Sequence, residues 1–309
     1  MMNYEIFKEA VKEEFMDYMP EKFKGMELVV KPVKKVNVVL DGIMLMEDEK
    51  TISPILYIND MYKKYQDCGD LEKILADACT LMQKAYGQAP DVDVDSIIEN
   101  ANEKIAFQLI NTEQNKTFLE QVPHREFQDL SIVYRIIISA DKNAVQSTKI
   151  TNELAARLGM SEEQLFKCAT ENTRRIFPPV VRNVNDIISK MLEINGLEDV
   201  LPEQTMWVIS CENGISGATS MLYEDELHNL AENLGSDLYI LPSSVHEVIA
   251  IPSDGKDPNE LAQMVAEVNM QQVSLEERLS NQVYHYDKNL RKLTLATDTP
   301  NKRLDKITV

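Results

Sequence analysis

The sequence predicts an α+β protein. An N-terminal α-β-β-α module covers residues 1–90, and a larger mixed α/β domain with a largely antiparallel sheet flanked by helices covers 91–309. Three observations carry this. Helix-period and strand-like segments are interleaved along the sequence. Gly87, Pro90 and the acids Asp91, Asp93 and Asp95 punctuate it between two such series. The run "LSIVYRIIIS" (130–139) is apolar on both alternating faces, as an interior strand covered on two sides requires.

The elements follow in order. Tyr4, Phe7, Val11, Phe15 and Tyr18 recur at helical spacing behind Asn3, a candidate N-cap, and Pro20 stops the helix. "ELVVKPV" and "NVVLDGIMLM" read as strands with a turn at Lys34-Lys35 and a break at Asp41-Gly42, and "ISPILYI" is a further apolar run. A helix starts at Asn59 or Asp60, and "DLEKILADACTLMQKAYG" forms another, with Leu71, Ile74, Leu75 and Ala78 on one stripe. Beyond the boundary, a short helix near Ser96, the strand "KIAFQLIN" and a helix at "NKTFLEQV" lead to the polar cluster Pro123–Asp129 and the apolar run.

Two helices follow, one ending at Gly159 and one opened by the capping-box pattern Ser161-Glu162-Glu163-Gln164; Pro178-Pro179 breaks the second. Asn213-Gly214 predicts a hairpin. A helix ending at Gly235, the strands "DLYILP" and "HEVIAIP", a helix begun by Pro258 and the strands "NQVYHYD" and "KLTLAT" complete the order. The stretches beginning "YRIIISADKN" and "WVISCENG" echo one another in a strand, Asn-containing turn, return and helix order, which suggests a duplicated ββα unit.

Composition narrows the function classes. Hydrophobic residues make up 44% of 309, enough for a sizeable core. Ten glycines argue against glycine-rich phosphate loops. A net charge of −19 repels polyanions, and "KPVKK" and Arg174-Arg175 are too short to form a nucleic-acid patch, so direct nucleic-acid binding is not expected. No apolar stretch approaches the roughly 18 residues of a membrane span. The N-terminus has no signal-peptide core, and the four cysteines are too far apart for a CxxC motif; a cytoplasmic location with reduced thiols is expected.

No sequence motif for a cofactor or a metal is present. The candidates for chemistry are therefore clusters. His124, Glu126 and Asp129 combine a group that titrates near neutrality with carboxylates that could orient it, and His246, at the start of a strand, could join them. The bland alternative is a capped, solvated loop. Arg125, Arg174 and Arg182 are candidates for binding an anion, and Asn213-Gly214 for recognition at an exposed tip. No G-x-S-x-G elbow accompanies the serines beside His246.

The stretches "LDGIML", "ISPILYINDMY", "VPHREFQDLSIVYRI", "ITNELAARLGMSEEQLFKCATENTRRIFPPVVR", "ENGISGATSMLY" and "DLYILPSSVHEVIAIP" resemble an uncharacterised bacterial family, the domain-of-unknown-function family 5688, over nearly the whole length. "ENTRRIFP", the Asn213-Gly214 segment and the strand pair after it are similar to a second uncharacterised family over the C-terminal half. The resemblance implies an architecture and a bacterial source, and no mechanism. The leading expectation is an accessory protein that binds another macromolecule, a protein, without chemistry of its own. The alternatives are an enzyme centred on His124, Glu126, Asp129 and His246, and an acidic nucleic-acid mimic. Whether a small molecule also binds stays open.

Overall fold

The computed structural model describes residues 1–46, 54–88, 98–141, 145–191 and 206–297. The protein divides into two compact units, Met1–Asp93 and Val94–Val309.

The first unit runs α1 (Tyr4–Glu14), β1 (Glu27–Lys34), β2 (Val39–Met46), β3 (Leu56–Tyr57), α2 (Ile58–Cys68) and α3 (Leu71–Gln88). The carboxamide oxygen of Asn3 accepts the Ile6 N–H and caps α1. Phe7, Val11 and Phe15 then fall on one face and bury completely against Ile43 and Leu45 of β2, Ile58 of α2 and Leu75 of α3. Each such apolar group contributes about 1.5–3 kcal/mol by leaving water. The β1–β2 hairpin turns at 35–38, where Asn37 takes the left-handed φ of 64°. The expected break at Asp41-Gly42 is absent, and β2 runs straight through it. Tyr4 Oη–H (2.7 Å) and Lys8 Nζ (2.8 Å) bind the Asp41 carboxylate, and Asn59 Oδ1 accepts its backbone N–H, so the polar residue is satisfied within a strand.

The second unit holds two antiparallel sheets. In the first, β6 (Leu130–Ala140) is central. β4 (Ile105–Asn111) lies along one side of it, and β5 (His124–Phe127) followed by β7 (Val145–Lys149) along the other. This double flanking makes β6 an interior strand, in keeping with the apolar character of both its faces. The short helix α4 (Lys116–Leu119) precedes β5, and α5 (Asn152–Leu158) and α6 (Glu162–Ile176) follow β7. Ser161 and Gln164 form the full capping box of α6. Thr173 Oγ1 of α6 accepts the outward Phe107 N–H at 2.8 Å, which closes part of the β4 edge.

The second sheet has the order β13-β12-β10-β11-β9-β8. Its strands are β8 (Pro179–Asn183), β9 (Trp207–Cys211), β10 (Leu238–Leu241), β11 (Val248–Pro252), β12 (Tyr284–Asp287) and β13 (Lys292–Leu295). Helices α7 (Val184–Met191), α8 (Glu224–Leu234) and α9 (Pro258–Gln272) complete the unit. Ile132, Tyr134 and Ile136 share one core with Ile209, Ile240, Val248 and Tyr284, so the two sheets bury their apolar faces together.

Two elements of the second unit also differ from the expectation. "HREF" is no loop: it is the edge strand β5, joined to β6 by the two residues Gln128 and Asp129, with Gln128 at φ 58°. Asn213-Gly214 turns the backbone but makes no hairpin, and residues Gly217–Leu222 form a 3-10 helix instead. Strand β9 already pairs with β11 on one side and β8 on the other, so no ladder is left for a returning strand. The "YRIIISADKN" stretch does fold as the β6–β7 hairpin followed by a helix. The short helix expected near Ser96 begins outside the described residues.

Candidate functional site

The β5–β6 hairpin sends its polar side chains to different places. His124 and Glu126 share one face of the edge strand, and Arg125 points to the other. His124 donates Nδ1–H to the Val122 carbonyl at 3.1 Å, and Glu126 is exposed. Arg125 forks onto Glu162 of α6, with Nε 3.1 Å from Oε1 and Nη2 2.8 Å from Oε2. Its guanidinium lies 3.8 Å above the Phe166 ring centroid, and Tyr134 Oη–H donates to the same Glu162. Burial pushes the Glu162 carboxyl up, but the Arg125 and Tyr134 hydrogen bonds and the Arg125 charge outweigh it and hold the group below its usual range. A charged edge strand of this kind also resists edge-to-edge pairing with another molecule.

Asp129 turns inward. It is 7% exposed, accepts Ser280 Oγ–H at 2.6 Å and Tyr284 Oη–H, and so joins the hairpin tip to the second sheet. Burial pushes its carboxyl up, and the two hydroxyl donors offset this only in part. His246 has other neighbours. Its Nδ1 accepts the Ser216 N–H at 3.2 Å, which leaves Nε2 to face Glu277 at 3.5 Å. A ring nitrogen occupied by a backbone amide is not placed to deprotonate a serine hydroxyl. The four acid–base candidates His124, Glu126, Asp129 and His246 thus share no hydrogen-bond partner among the described residues. Among those residues, no group of three or more His, Cys, Asp or Glu is placed to hold a metal.

The arginine and turn candidates separate more sharply. Arg174 forks onto Asp225 at 2.9 and 2.7 Å and reaches Glu226 at 2.8 Å. It is fully engaged. Arg182 of β8 is exposed and has no ion-pair or side-chain hydrogen-bond partner among the described residues. It lines a cleft of about 590 Å³ together with Asn213. The cleft lies between the end of β6 (Ala140, Asp141), the corner Phe177-Pro178 after α6, Val180 of β8 and the Glu212-Asn213 turn after β9. Asn213 is held by its own turn: its Oδ1 accepts the Ile215 N–H at 3.0 Å, and its Nδ2 approaches the Asp141 carbonyl at 3.4 Å. Gly214 supplies the left-handed φ of 70° that the turn needs.

Beside this cleft lies a residue that the sequence does not mark as a candidate by any motif. Arg135 sits in the middle of β6 and is 8% exposed. Its guanidinium carbon is 5.4 Å from the ring centroid of Phe177, which lines the cleft. Nε and Nη2 are sealed from solvent and have no hydrogen-bond partner among the described residues. The residues opposite it across the strands are Ala106 and Lys149, so the ladder supplies no compensating charge. Burial pulls the group down to about 10, and a thiolate at Cys211 would favour its charge, but burial pushes the Cys211 thiol up. At neutral pH Arg135 therefore carries a buried charge with no anionic partner among the described residues. A signal was legible all the same: one cation in the centre of an eight-residue apolar stretch, "SIVYRIII".

The model of a family of unknown function, DUF5688, matches residues 4–288. No curated protein and no solved structure matches the sequence. Among the described residues no helix is long and apolar enough to cross a membrane. The match spans both units, from the first helix to just past the end of β12, and the protein belongs to the DUF5688 family.

Proposed function

We propose that this protein works by binding a protein partner in the bacterial cytoplasm, through the cleft at the β8 end of its larger unit, without chemistry of its own. The observation that carries this reading is Arg182. The sequence has 51 acidic residues against 32 basic ones. Arg125, Arg174 and Arg291 each fork onto a carboxylate, whereas Arg182, on an edge strand beside an apolar corner, has no such partner among the described residues. An apolar centre of Phe177, Pro178 and Val180 within a polar rim of Arg182, Glu212 and Asn213 has the anatomy of a protein interface. Glu212 is exposed beside it, so the rim presents charges of both signs for a partner to match. The enzyme alternative loses support because Asp129 and His246 have other partners than His124 and Glu126 and share none with them among the described residues. The mimic alternative has no row of carboxylates at this cleft.

Site-specific photo-crosslinking in cells tests the reading. A photoreactive residue at Asn213 is expected to give a discrete crosslinked protein that is lost when Arg182→Glu is added. The same probe at Leu290, 74% exposed beside the opposite edge strand β13, is the control. Equal crosslinking at both positions, or none at Asn213, contradicts the reading.

A further inference from the structure

We propose that the cleft is a carboxylate-binding site in which Arg135 supplies the buried charge and Arg182 the charge at the rim, so that the partner inserts an acidic side group beside Phe177. The inference rests on the binding reading above and names the chemistry that the cleft selects.

Two independent observations meet here. The first is the cleft itself, with its apolar corner and Arg182, which has no ion-pair partner among the described residues. The second is the guanidinium of Arg135, more than nine-tenths buried and next to a residue of the cleft wall, whose Nε and Nη2 have no hydrogen-bond partner among the described residues. A buried cation without an anion is unfavourable in the free protein, and an incoming anion removes that penalty on binding. Guanidinium donors in a planar fork match the two oxygens of a carboxylate, and a drier site strengthens the bonds. The rim decides between anions. Asp141 and Glu212 also line the cleft, and they oppose a doubly charged phosphate more than a singly charged carboxylate. The apolar corner gives the flanking residues of an extended segment a surface to cover.

The experiment titrates the full-length protein with three probes: a tri-glutamate peptide acetylated at its N-terminus and amidated at its C-terminus, the matching tri-glutamine peptide and inorganic phosphate. Nitrogen-15 spectra of the arginine Nε–H groups report on Arg135 and Arg182 directly, and affinity is measured in wild type, Arg135→Met and Arg182→Gln. The glutamate peptide is expected to shift both arginine signals and to lose at least tenfold in affinity in Arg135→Met. The glutamine peptide and phosphate are expected to bind at least tenfold more weakly than the glutamate peptide. Thermal melts accompany each variant, so that a folding defect is not mistaken for lost recognition.

Glutamate binding that Arg182→Gln abolishes and Arg135→Met leaves unchanged overturns the inference while the binding reading stands. Phosphate binding as tightly as the glutamate peptide overturns the carboxylate assignment. No peptide binding overturns the inference, and the crosslinking experiment then decides the binding reading independently.

Discussion

Arg125 and Arg135 stand ten residues apart on one hairpin and occupy opposite physical states. Arg125 is half-exposed and paired, with two hydrogen bonds to Glu162 and a ring beneath it. Arg135 is buried and lacks even one bond at Nε or Nη2. Water can solvate the first if its partner leaves, and it cannot reach Nε or Nη2 of the second. The contrast separates a cation that holds a helix to a sheet from one that the fold tolerates at a cost. Asp129, at the tip of the same hairpin, is a third case, buried like Arg135 but caged by the hydroxyls of Ser280 and Tyr284.

The largest expected effect comes from opening that cage. Asp129→Ala leaves two buried hydroxyls without their acceptor and is expected to cost about 3 kcal/mol in urea unfolding. A loss under about 1 kcal/mol would mean that the hairpin tip is not held to the second sheet by this residue. Glu162→Gln removes the charge that binds Arg125 and Tyr134. The pair is partly exposed, so solvent screening limits the expected loss to about 1 kcal/mol at pH 7. A double-mutant cycle with Arg125→Gln checks whether that loss belongs to the pair.

The pH dependences of the two carboxylates are opposite in sign. Glu162 has a folded-state value held below its unfolded one, so its contribution is present above the unfolded value and fades as pH falls through the folded one. The stability gap between wild type and Glu162→Gln is expected to shrink on acidification. Asp129 has a folded-state value raised by burial, so its contribution is present below the unfolded value and is lost as pH rises through the folded one. The stability of wild type relative to Asp129→Asn is therefore expected to rise on acidification. Slopes of the same sign in the two comparisons would contradict the assignment of burial as the dominant cause at Asp129. The smallest expected change is at the cleft rim, where Arg182→Gln alters stability by no more than about 0.5 kcal/mol because no partner among the described residues is lost.

Much of the fold was legible because local signals agreed with the packing. Asn3, Ser161-Gln164, Gly159 and Gly235 cap helices where the sequence places them. The alternation of 130–139 becomes a strand flanked on both sides. What escaped depends on who pairs with whom. β5 is four residues long, three of them polar, and only the partner strand β6 makes it a strand. β8 begins at the second residue of Pro178-Pro179, a pair that reads locally as a stop. The Asn213-Gly214 hairpin fails because β9 has both edges occupied. A Cβ at Gly217 would also meet the Cys211 nitrogen at 2.5 Å and the His246 carbonyl oxygen at 2.6 Å, so the backbone packs back onto β9.

The site was less legible for the same reason. His124, Glu126 and Asp129 look like one cluster in sequence, yet only His124 and Glu126 share a face of β5, and the turn sends Asp129 inward onto Ser280 and Tyr284. Arg182 and Asn213, 31 positions apart, meet at one cleft because β8 and β9 are neighbours. Arg135 shows as a cation in an apolar run, but its isolation is a property of neighbours that do not reach it.

The most direct measurement is the thermal stability of Arg135→Met in the absence of any ligand. The central claim is that the buried guanidinium is uncompensated in the free protein. Replacing an unpaired buried charge with an apolar group of similar length then leaves stability unchanged or raises it by about 1–4 kcal/mol, a melting shift of several degrees upward. A fall of several degrees would show that Arg135 is compensated within the fold, and the case for a carboxylate beside Phe177 would lose its foundation.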